Sequence, residues 1–273
     1  MDKAYIAASK ADVAVVCIGN HPYGTNARWF YSPVPSDGRE AVDRKALTLE
    51  QEDLAKVVLK ANPNTVLALV SSFPFTINWS EEHIPSIVHI ANNSQELGNG
   101  LADVLFGKVN PAGRTTQTWV RDITDLPPMM DYNIRNGRTY MYFKGDPLYP
   151  FGYGLSYTTF SYGSLNMPES FTDSVQIEIM IRNTGTLDGE EVVQLYAAYL
   201  SSAVERPVRQ LAGFERVLIP AGKSRKVTLT LKASDLAYWD VEKQRFTVEK
   251  GTVRILVGSS SADIRSEGVL EIK

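Results

Sequence analysis

The pattern of apolar residues changes at one short stretch, residues 148–157 (LYPFGYGLSY), and this change limits the folds open to the chain. Before it, apolar runs alternate with helical patterns, which is typical of parallel βα units. After it, apolar and polar residues alternate with a period of two, which is typical of strands alone. The sequence therefore predicts an α/β part followed by an all-β part.

The stretch itself holds four aromatic rings among prolines and glycines, which predicts a shaped loop rather than a helix or strand. Two interpretations remain open for its rings. They would pack between two domains, since aromatic side chains supply buried area, or they would form a wall of a sugar site. The predicted organisation is an α/β domain over residues 1–125, an aromatic linker over 126–160 and a β-sandwich over 161–273.

Three apolar runs in the first part, residues 13–19, 65–71 and 86–91, predict strands that are buried on both faces of a parallel sheet. This prediction places Cys17 in the interior. Thr48 and Gln51 form a capping-box pattern for one helix, and Gly107 is a C-terminal stop for a helix from about residue 94. Alternation over residues 138–143 (RTYMYF) predicts another strand.

The second part contains about seven alternating segments separated by turn residues. Four are long, near residues 175–182, 192–199, 225–231 and 252–257, and three are shorter, near 210–216, 246–248 and 269–272. This number of strands in about 115 residues predicts an immunoglobulin-like sandwich.

Composition excludes several functional classes. A net charge of −3 gives no electrostatic reason to expect nucleic acid or an acidic membrane surface as a partner. The single cysteine excludes an internal disulfide, and three widely spaced histidines do not have the spacing of a metal site. No apolar run reaches 18 residues, so no membrane span is predicted, and no cofactor is predicted either.

Residues 20–46 form a long connection without periodicity between the first strand and its helix. Such a loop in a compact domain is usually functional or disordered, and a loop rich in rings is seldom disordered. It leaves the carboxyl end of a parallel strand, where open α/β sheets bind ligands. We therefore predict an ordered site loop, which contains the carboxylates Asp37, Glu40 and Asp43.

Several segments resemble glycoside hydrolase family 3. Residues 148–160 (LYPFGYGLSYTTF) resemble the signature that closes the family's second domain, and residues 102–107 (ADVLFG) and 110–114 (NPAGR) are similar to that domain. Residues 183–196 (NTGTLDGEEVVQLY), 206–217 (RPVRQLAGFERV) and 257–265 (VGSSSADIR) resemble its fibronectin type III-like domain. The resemblance implies a partial α/β sandwich domain, truncated at its amino end, followed by a fibronectin III-like β-sandwich.

The resemblance also implies an activity, the retaining hydrolysis of terminal β-linked glucose or xylose from oligosaccharides. In many members a loop glutamate three residues before an Asp-Arg pair is the general acid/base, which implies this role for Glu40, with Asp37 as a rival. His21, Tyr23 and Trp29 are the candidates for contact with sugar. Residues 92–94 (NNS) depart from the commoner Pro-Gly at this point, which leaves the substrate open.

No segment resembles the family's barrel motif that bears the nucleophile. The resemblance therefore implies a barrel domain as partner, in cis or in trans, and a periplasmic or secreted full-length protein. Two alternatives remain open, a non-catalytic carbohydrate-binding protein and a structural β-sandwich protein.

Overall fold

The computed structural model describes residues 1–19, 44–92 and 95–273, which form two compact units. The first unit comprises residues 1–106, 119–126 and 146–148. The second comprises residues 107–118, 127–145 and 149–273. The units interleave along the chain, and the domain limits 1–125, 126–160 and 161–273 stay a prediction.

The first unit is built on a three-stranded sheet in which β2 lies between β1 and β3 and both pairings are parallel. This confirms the predicted parallel α/β layer. Its elements in chain order are α1 (Asp2–Ala8), β1 (Ala14–Gly19), α2 (Glu52–Ala61), β2 (Thr65–Val70), α3 (Asn78–His83), β3 (Ser86–Ile90) and α4 (Leu97–Leu105). None of the helices in the described residues is long and apolar enough to cross a membrane.

Strand β1 differs from its prediction, because only one of its faces is buried. Ala14, Val16 and Ile18 are buried, whereas Val15 and Cys17 between them are exposed. The expected interior position of Cys17 is therefore wrong. A continuous apolar run indicates that both faces suit burial, but in the described chain one face of β1 has no cover.

The predicted capping box at Thr48 and Gln51 does not form. Helix α2 begins at Glu52 after Gln51, and no side chain caps it. The Gln51 side chain is engaged elsewhere, because its Oε1 accepts a hydrogen bond from the Gly19 amide at 2.8 Å. The predicted helix stop at Gly107 fits the structure, since this residue has a φ of +71° just after α4.

The second unit contains two antiparallel layers and a small hairpin. One sheet has the order β5-β13-β12-β7-β8 and the other β4-β6-β9, while β10 and β11 pair by themselves. Its elements are α5 (Thr139–Tyr142), β4 (Phe160–Asn166), β5 (Ser170–Phe171), β6 (Ser174–Asn183), β7 (Gly189–Tyr199), β8 (Gln210–Ile219), β9 (Ser224–Lys232), β10 (Tyr238–Asp240), β11 (Arg245–Thr247), β12 (Gly251–Gly258) and β13 (Ile264–Ile272). Within the sheets, the short β5 alone pairs in parallel, with β13.

The core of this unit lies between inward-facing side chains of the two layers. In β6, Ile177, Ile179 and Ile181 are buried and alternate with more exposed residues, and Leu195 of β7 and Ile255 of β12 are completely buried. This alternation is the period of two seen in the sequence. The sequence predicted about seven strands and missed β4, β5 and β10, two of which are only two or three residues long.

The predicted strand at residues 138–143 is wrong, because this segment forms the one-turn helix α5. Thr139 at its start has a φ of +61°. The Tyr140 ring stacks on Phe151 of the aromatic stretch at 4.3 Å and meets Tyr196 edge-on at 5.9 Å. Its hydroxyl accepts a hydrogen bond from the Leu211 amide at 3.0 Å. Rings that alternate in sequence are therefore held by packing on the sandwich, without strand pairing.

Two buried polar side chains of β7 each bind one residue that precedes the sandwich in sequence and one residue within it. Glu191 accepts from Arg114 Nη2 at 2.9 Å and from the Tyr162 hydroxyl at 2.6 Å. Gln194 donates through Nε2 to the carbonyls of Gly152 and Ser259, at 3.0 and 2.5 Å. Burial raises the pKa of the Glu191 carboxyl, against the opposing effects of Tyr162 and Arg114.

Candidate functional site

The candidate site is the edge where the three parallel strands of the first unit end together. The register pairs Gly19 with Val70 and Val70 with Ile90, so the carboxyl ends of β1, β2 and β3 are level. In an open parallel sheet this edge is the usual place for a ligand. The segment that carries the predicted site residues leaves the sheet here, directly after Gly19.

Gly19 is fixed at this edge by a conformation that requires glycine. Its φ is +149°, and a Cβ at this position would overlap the carbonyl oxygen of Val70. Its amide donates to Gln51 at the start of α2. The departure point of the segment is therefore held by both the neighbouring strand and the following helix.

Arg44, at the other end of the segment, is held between two aromatic rings. Its guanidinium lies 4.2 Å from the ring centre of Phe73 and 4.7 Å from that of Phe75. Nη1 also donates to the Pro74 carbonyl at 3.0 Å. Burial lowers the pKa of Arg44 to about 10, while the charge of Glu50 acts in the opposite direction. Arg44 thus fixes the returning chain to the residues that follow β2.

Hydrogen bonds continue along the edge between β2 and β3. The Ser71 amide donates to the Ile90 carbonyl at 3.0 Å, and Asn92 Nδ2 donates to the Ser72 hydroxyl at 2.9 Å. These bonds hold the first residues beyond the two strands together. They place two polar side chains, Ser72 and Asn92, beside each other at the edge.

His89 and Ser71 form a hydroxyl–imidazole contact that does not suit nucleophilic catalysis. His89 Nε2 lies 3.1 Å from Ser71 Oγ and 3.2 Å from the Ser71 carbonyl oxygen, so this nitrogen can donate to the backbone. The imidazole packs edge-on against Trp119, and the desolvation lowers the pKa of His89. Ser71 is almost completely buried and cannot reach a substrate, so the pair joins β2 to β3.

The predicted site residues themselves, Glu40, Asp37, His21, Tyr23 and Trp29, lie outside the described residues. The sequence analysis missed three residues that anchor this segment, Gln51 and the two phenylalanines around Arg44. The signal was present as Phe73-Pro74-Phe75, two rings that follow a buried strand at its carboxyl end. Among the described residues no group of three or more metal-binding side chains could hold an ion.

Comparisons with known proteins agree with this architecture. The family model of the glycosyl hydrolase family 3 C-terminal domain matches residues 1–157, and that of the fibronectin type III-like domain matches residues 191–261. The chain is 34% identical to probable beta-glucosidase K of Emericella nidulans, with 99% of this chain and 32% of the relative covered. It is 37% identical to xylan 1,4-beta-xylosidase of Xylanibacter ruminicola, over 85% of this chain and 27% of that enzyme.

A solved structure also matches the whole of this chain. The beta-glucosidase of Kluyveromyces marxianus in complex with glucose matches with a TM-score of 0.85 at 33% identity, covering 100% of this chain and 33% of that chain. This chain therefore spans about a third of the length of these relatives. It belongs to glycosyl hydrolase family 3, with the family's C-terminal α/β domain and a fibronectin type III-like domain, in the form found in beta-glucosidases and beta-xylosidases.

Proposed function

We propose that this chain is the carboxyl-terminal portion of a retaining β-glycosidase that releases terminal β-linked glucose or xylose, and that Glu40 is its general acid/base. The observation that carries the proposal is the anchoring of the segment over residues 20–43. Gly19 precedes it at the carboxyl ends of the strands, and Arg44 after it binds the Pro74 carbonyl beyond β2.

This anchoring limits where Glu40 can lie. Glu40 is four residues from Arg44, and four residues span at most about 14 Å of extended chain. We propose that its carboxyl group reaches the edge at which α/β sheets bind ligands. Asp37, three residues further from Arg44, remains the rival for the same role.

A retaining mechanism needs two carboxyl groups about 5 Å apart, one as acid/base and one as nucleophile. We propose that the nucleophile comes from a barrel domain outside this chain, in cis or in trans, and that a β-glycoside substrate binds between the two. The chain alone is then expected to hydrolyse aryl β-glucosides or β-xylosides at no more than the background rate.

The test is to assay the chain alone and joined to a family 3 barrel, using paired aryl glycosides whose leaving groups differ in pKa. Glu40→Ala should slow the poor leaving group far more than the activated phenol, because the latter needs little protonation. Azide should restore part of the rate by replacing the water that needs a general base. Asp37→Ala is the matched variant and should retain both rates.

Three results would reject parts of this proposal. Equal loss of both substrates in Glu40→Ala removes this residue from the acid/base role, and the leaving-group pattern in Asp37→Ala transfers the role to Asp37. Robust turnover by the 273 residues alone shows that a barrel is not needed. Saturable oligosaccharide binding without turnover in the joined protein favours the carbohydrate-binding alternative.

A further inference from the structure

The hairpin formed by β10 and β11 in the second unit exposes two aromatic rings to solvent. The register pairs Trp239 with Phe246, so both side chains lie on the same face of the hairpin. Trp239 is 51% exposed and Phe246 is 71% exposed. Their ring centres are 5.4 Å apart and their planes are inclined at 77°. We call these two residues the aromatic pair, and their rings form a corner that is open to water.

The two ends of the hairpin are held by a residue outside it, Arg206. Its guanidinium lies 4.2 Å from the ring centre of Tyr199 and 4.7 Å from that of Tyr238. Nη1 donates to the Leu236 carbonyl before β10 at 2.8 Å, and Nη2 donates to the Glu249 carboxylate after β11 at 2.9 Å. One arginine thus fixes the chain on both sides of the hairpin.

The turn between the two strands is fixed by Asp240. Its Oδ1 accepts from the amides of Glu242 and Lys243 at 3.1 and 3.0 Å, and its Oδ2 accepts from Lys243 Nζ at 2.7 Å. These contacts and those of Arg206 do not involve the aromatic pair. The shape of the hairpin is therefore held by bonds other than those of its exposed rings.

The exposed apolar surface around the aromatic pair is small. It also includes Val241 in the turn, which is 72% exposed. The three side chains together expose roughly 300–400 Å² of apolar surface. A stable protein–protein interface needs about 800 Å² from each partner. This surface is therefore too small for a stable protein partner and has the size that a small ligand covers.

The charges beside the aromatic pair are balanced. Asp240 and Glu242 are acidic, whereas Lys243 and Arg245 are basic. Anionic lipids are attracted by clusters of basic residues, and the hairpin carries no excess of positive charge. An indole also combines an apolar face with a polar N–H at its edge. These properties favour a neutral ligand with an apolar face and polar groups around it.

We propose that the aromatic pair binds a neutral β-linked sugar chain, with one pyranose ring stacked on the Trp239 indole beside the Phe246 ring. The C–H groups of β-linked glucose or xylose form an apolar face, and the hydroxyl groups around the ring stay in water. The inference rests on the proposed function for the class of sugar. It adds binding residues that lie in the second unit and hold a sugar chain without reacting with it.

The test is isothermal titration of the 273-residue chain with cellohexaose and with xylohexaose. Trp239→Leu keeps an apolar residue in the hairpin and should weaken binding by about tenfold, the effect of losing one aromatic stacking contact. Trp239→Tyr keeps a ring and should bind within about threefold of the unchanged chain. Phe214→Leu is the matched control, because Phe214 is a ring on β8 that is 63% exposed, and it should leave binding unchanged.

Several outcomes would overturn the proposal once circular dichroism has shown that each variant is folded. They are failure of both oligosaccharides to bind, unchanged affinity in Trp239→Leu, and an equal loss in Phe214→Leu. Without sugar binding, Trp239-dependent binding to vesicles of phosphatidylcholine and phosphatidylglycerol would assign the rings to a lipid surface, and a dimer that Trp239→Leu dissociates would assign them to a second copy. Binding is measured without turnover, so its failure leaves the proposed role of Glu40 untouched, and a failed Glu40 test leaves the binding result unchanged.

Discussion

Replacing Arg114 with methionine would leave a buried carboxylate of the second unit without its cation. The side chains of Arg114 and Glu191 are 9% and 4% exposed, and their Nη2 and Oε2 atoms are 2.9 Å apart. Methionine keeps much of the apolar volume of the arginine stem. The substitution therefore removes mainly the charge and its hydrogen bond.

The expected cost follows from what Glu191 retains. Removing one partner of a buried ion pair costs about 3–5 kcal/mol. The Tyr162 hydroxyl still donates to Glu191 at 2.6 Å, which favours the lower end of this range. We expect the free energy of unfolding of the second unit to fall by about 3 kcal/mol at pH 8.

The cost should depend on pH in a definite direction. Burial already raises the pKa of Glu191 in the folded protein, and loss of Arg114 raises it further. A carboxyl whose folded pKa exceeds its unfolded value binds its proton more tightly when folded, so the variant regains stability as pH falls through the folded pKa. Between pH 8 and pH 5.5 the penalty should shrink by about 1–2 kcal/mol, since one pKa unit corresponds to about 1.4 kcal/mol.

Amide hydrogen exchange in β7 and β12 measures this free energy for the second unit by itself. Arg216→Met is the matched control on the neighbouring strand, where the pair with Glu190 is exposed and worth at most about 1 kcal/mol. The double variant Arg114→Met/Glu191→Leu should recover more than half of the loss. A cost for Arg114→Met below about 1 kcal/mol, or one that is the same at both pH values, would refute the reasoning.

Three further predictions concern single positions. Gly19→Ala should destabilise the first unit by about 2–4 kcal/mol, because Gly19 has a φ of +149° and the new methyl group would overlap the Val70 carbonyl. Thermal unfolding measures this cost, and an unchanged melting midpoint would contradict it. Ile255→Ala should cost about 2–5 kcal/mol in β12 exchange, since its side chain is fully buried; a loss below 1 kcal/mol would show that the core collapses around the cavity. A hydrogen bond from Lys243 is the main cause that lowers the pKa of Asp240, so the ionised carboxylate stabilises the fold above the unfolded pKa, and this stabilisation is lost as pH falls through the folded pKa. When the melting temperature is measured during an acid titration, Asp240→Asn should lack this loss. The same decrease of melting temperature at low pH in both proteins would contradict the prediction.

The sequence predicted the parallel layer well because its signal is local. Three apolar runs separated by helical patterns leave few arrangements other than βα units. The exposure of Val15 and Cys17 could not be predicted in the same way. Hydrophobic content indicates that a face is suited to burial, but whether it is covered depends on other polypeptide, which the run itself does not specify.

The segment from Arg138 to Phe143 shows a different limit. Its alternation of aromatic and other residues is the pattern of a strand, yet Tyr140 and Tyr142 lie in the helix α5. The deciding contacts are the stacking of Tyr140 on Phe151 and the hydrogen bond from the Leu211 amide to its hydroxyl. Both partners lie outside the segment, and Leu211 is 71 residues away from Tyr140, so tertiary packing overrides the local pattern.

The sequence indicated where the predicted site segment leaves the sheet, but it did not indicate most of the residues that anchor this segment. A long segment rich in aromatic residues after a parallel strand predicts a site at the carboxyl ends of the strands. In the structure, Gly19 and Arg44 lie at or next to that edge. The residues that anchor the two ends of the segment were harder to predict. Gln51 carries a capping pattern but binds Gly19 instead, because a side chain at a helix start can satisfy an amide of another element as readily as one of its own.

The buried polar side chains of β7 decide where this chain can be cut for separate production. A piece that begins at residue 161 would keep Glu191 and Gln194 but lose Arg114 and the Gly152 carbonyl that bind them. It would also lose Asn110, which donates to the Asp188 carbonyl at 2.9 Å. The first two losses each remove one hydrogen bond from a buried side chain, which is destabilising. A boundary chosen from the strand pattern alone would thus give an unstable product, and a soluble sandwich requires a start before Asn110.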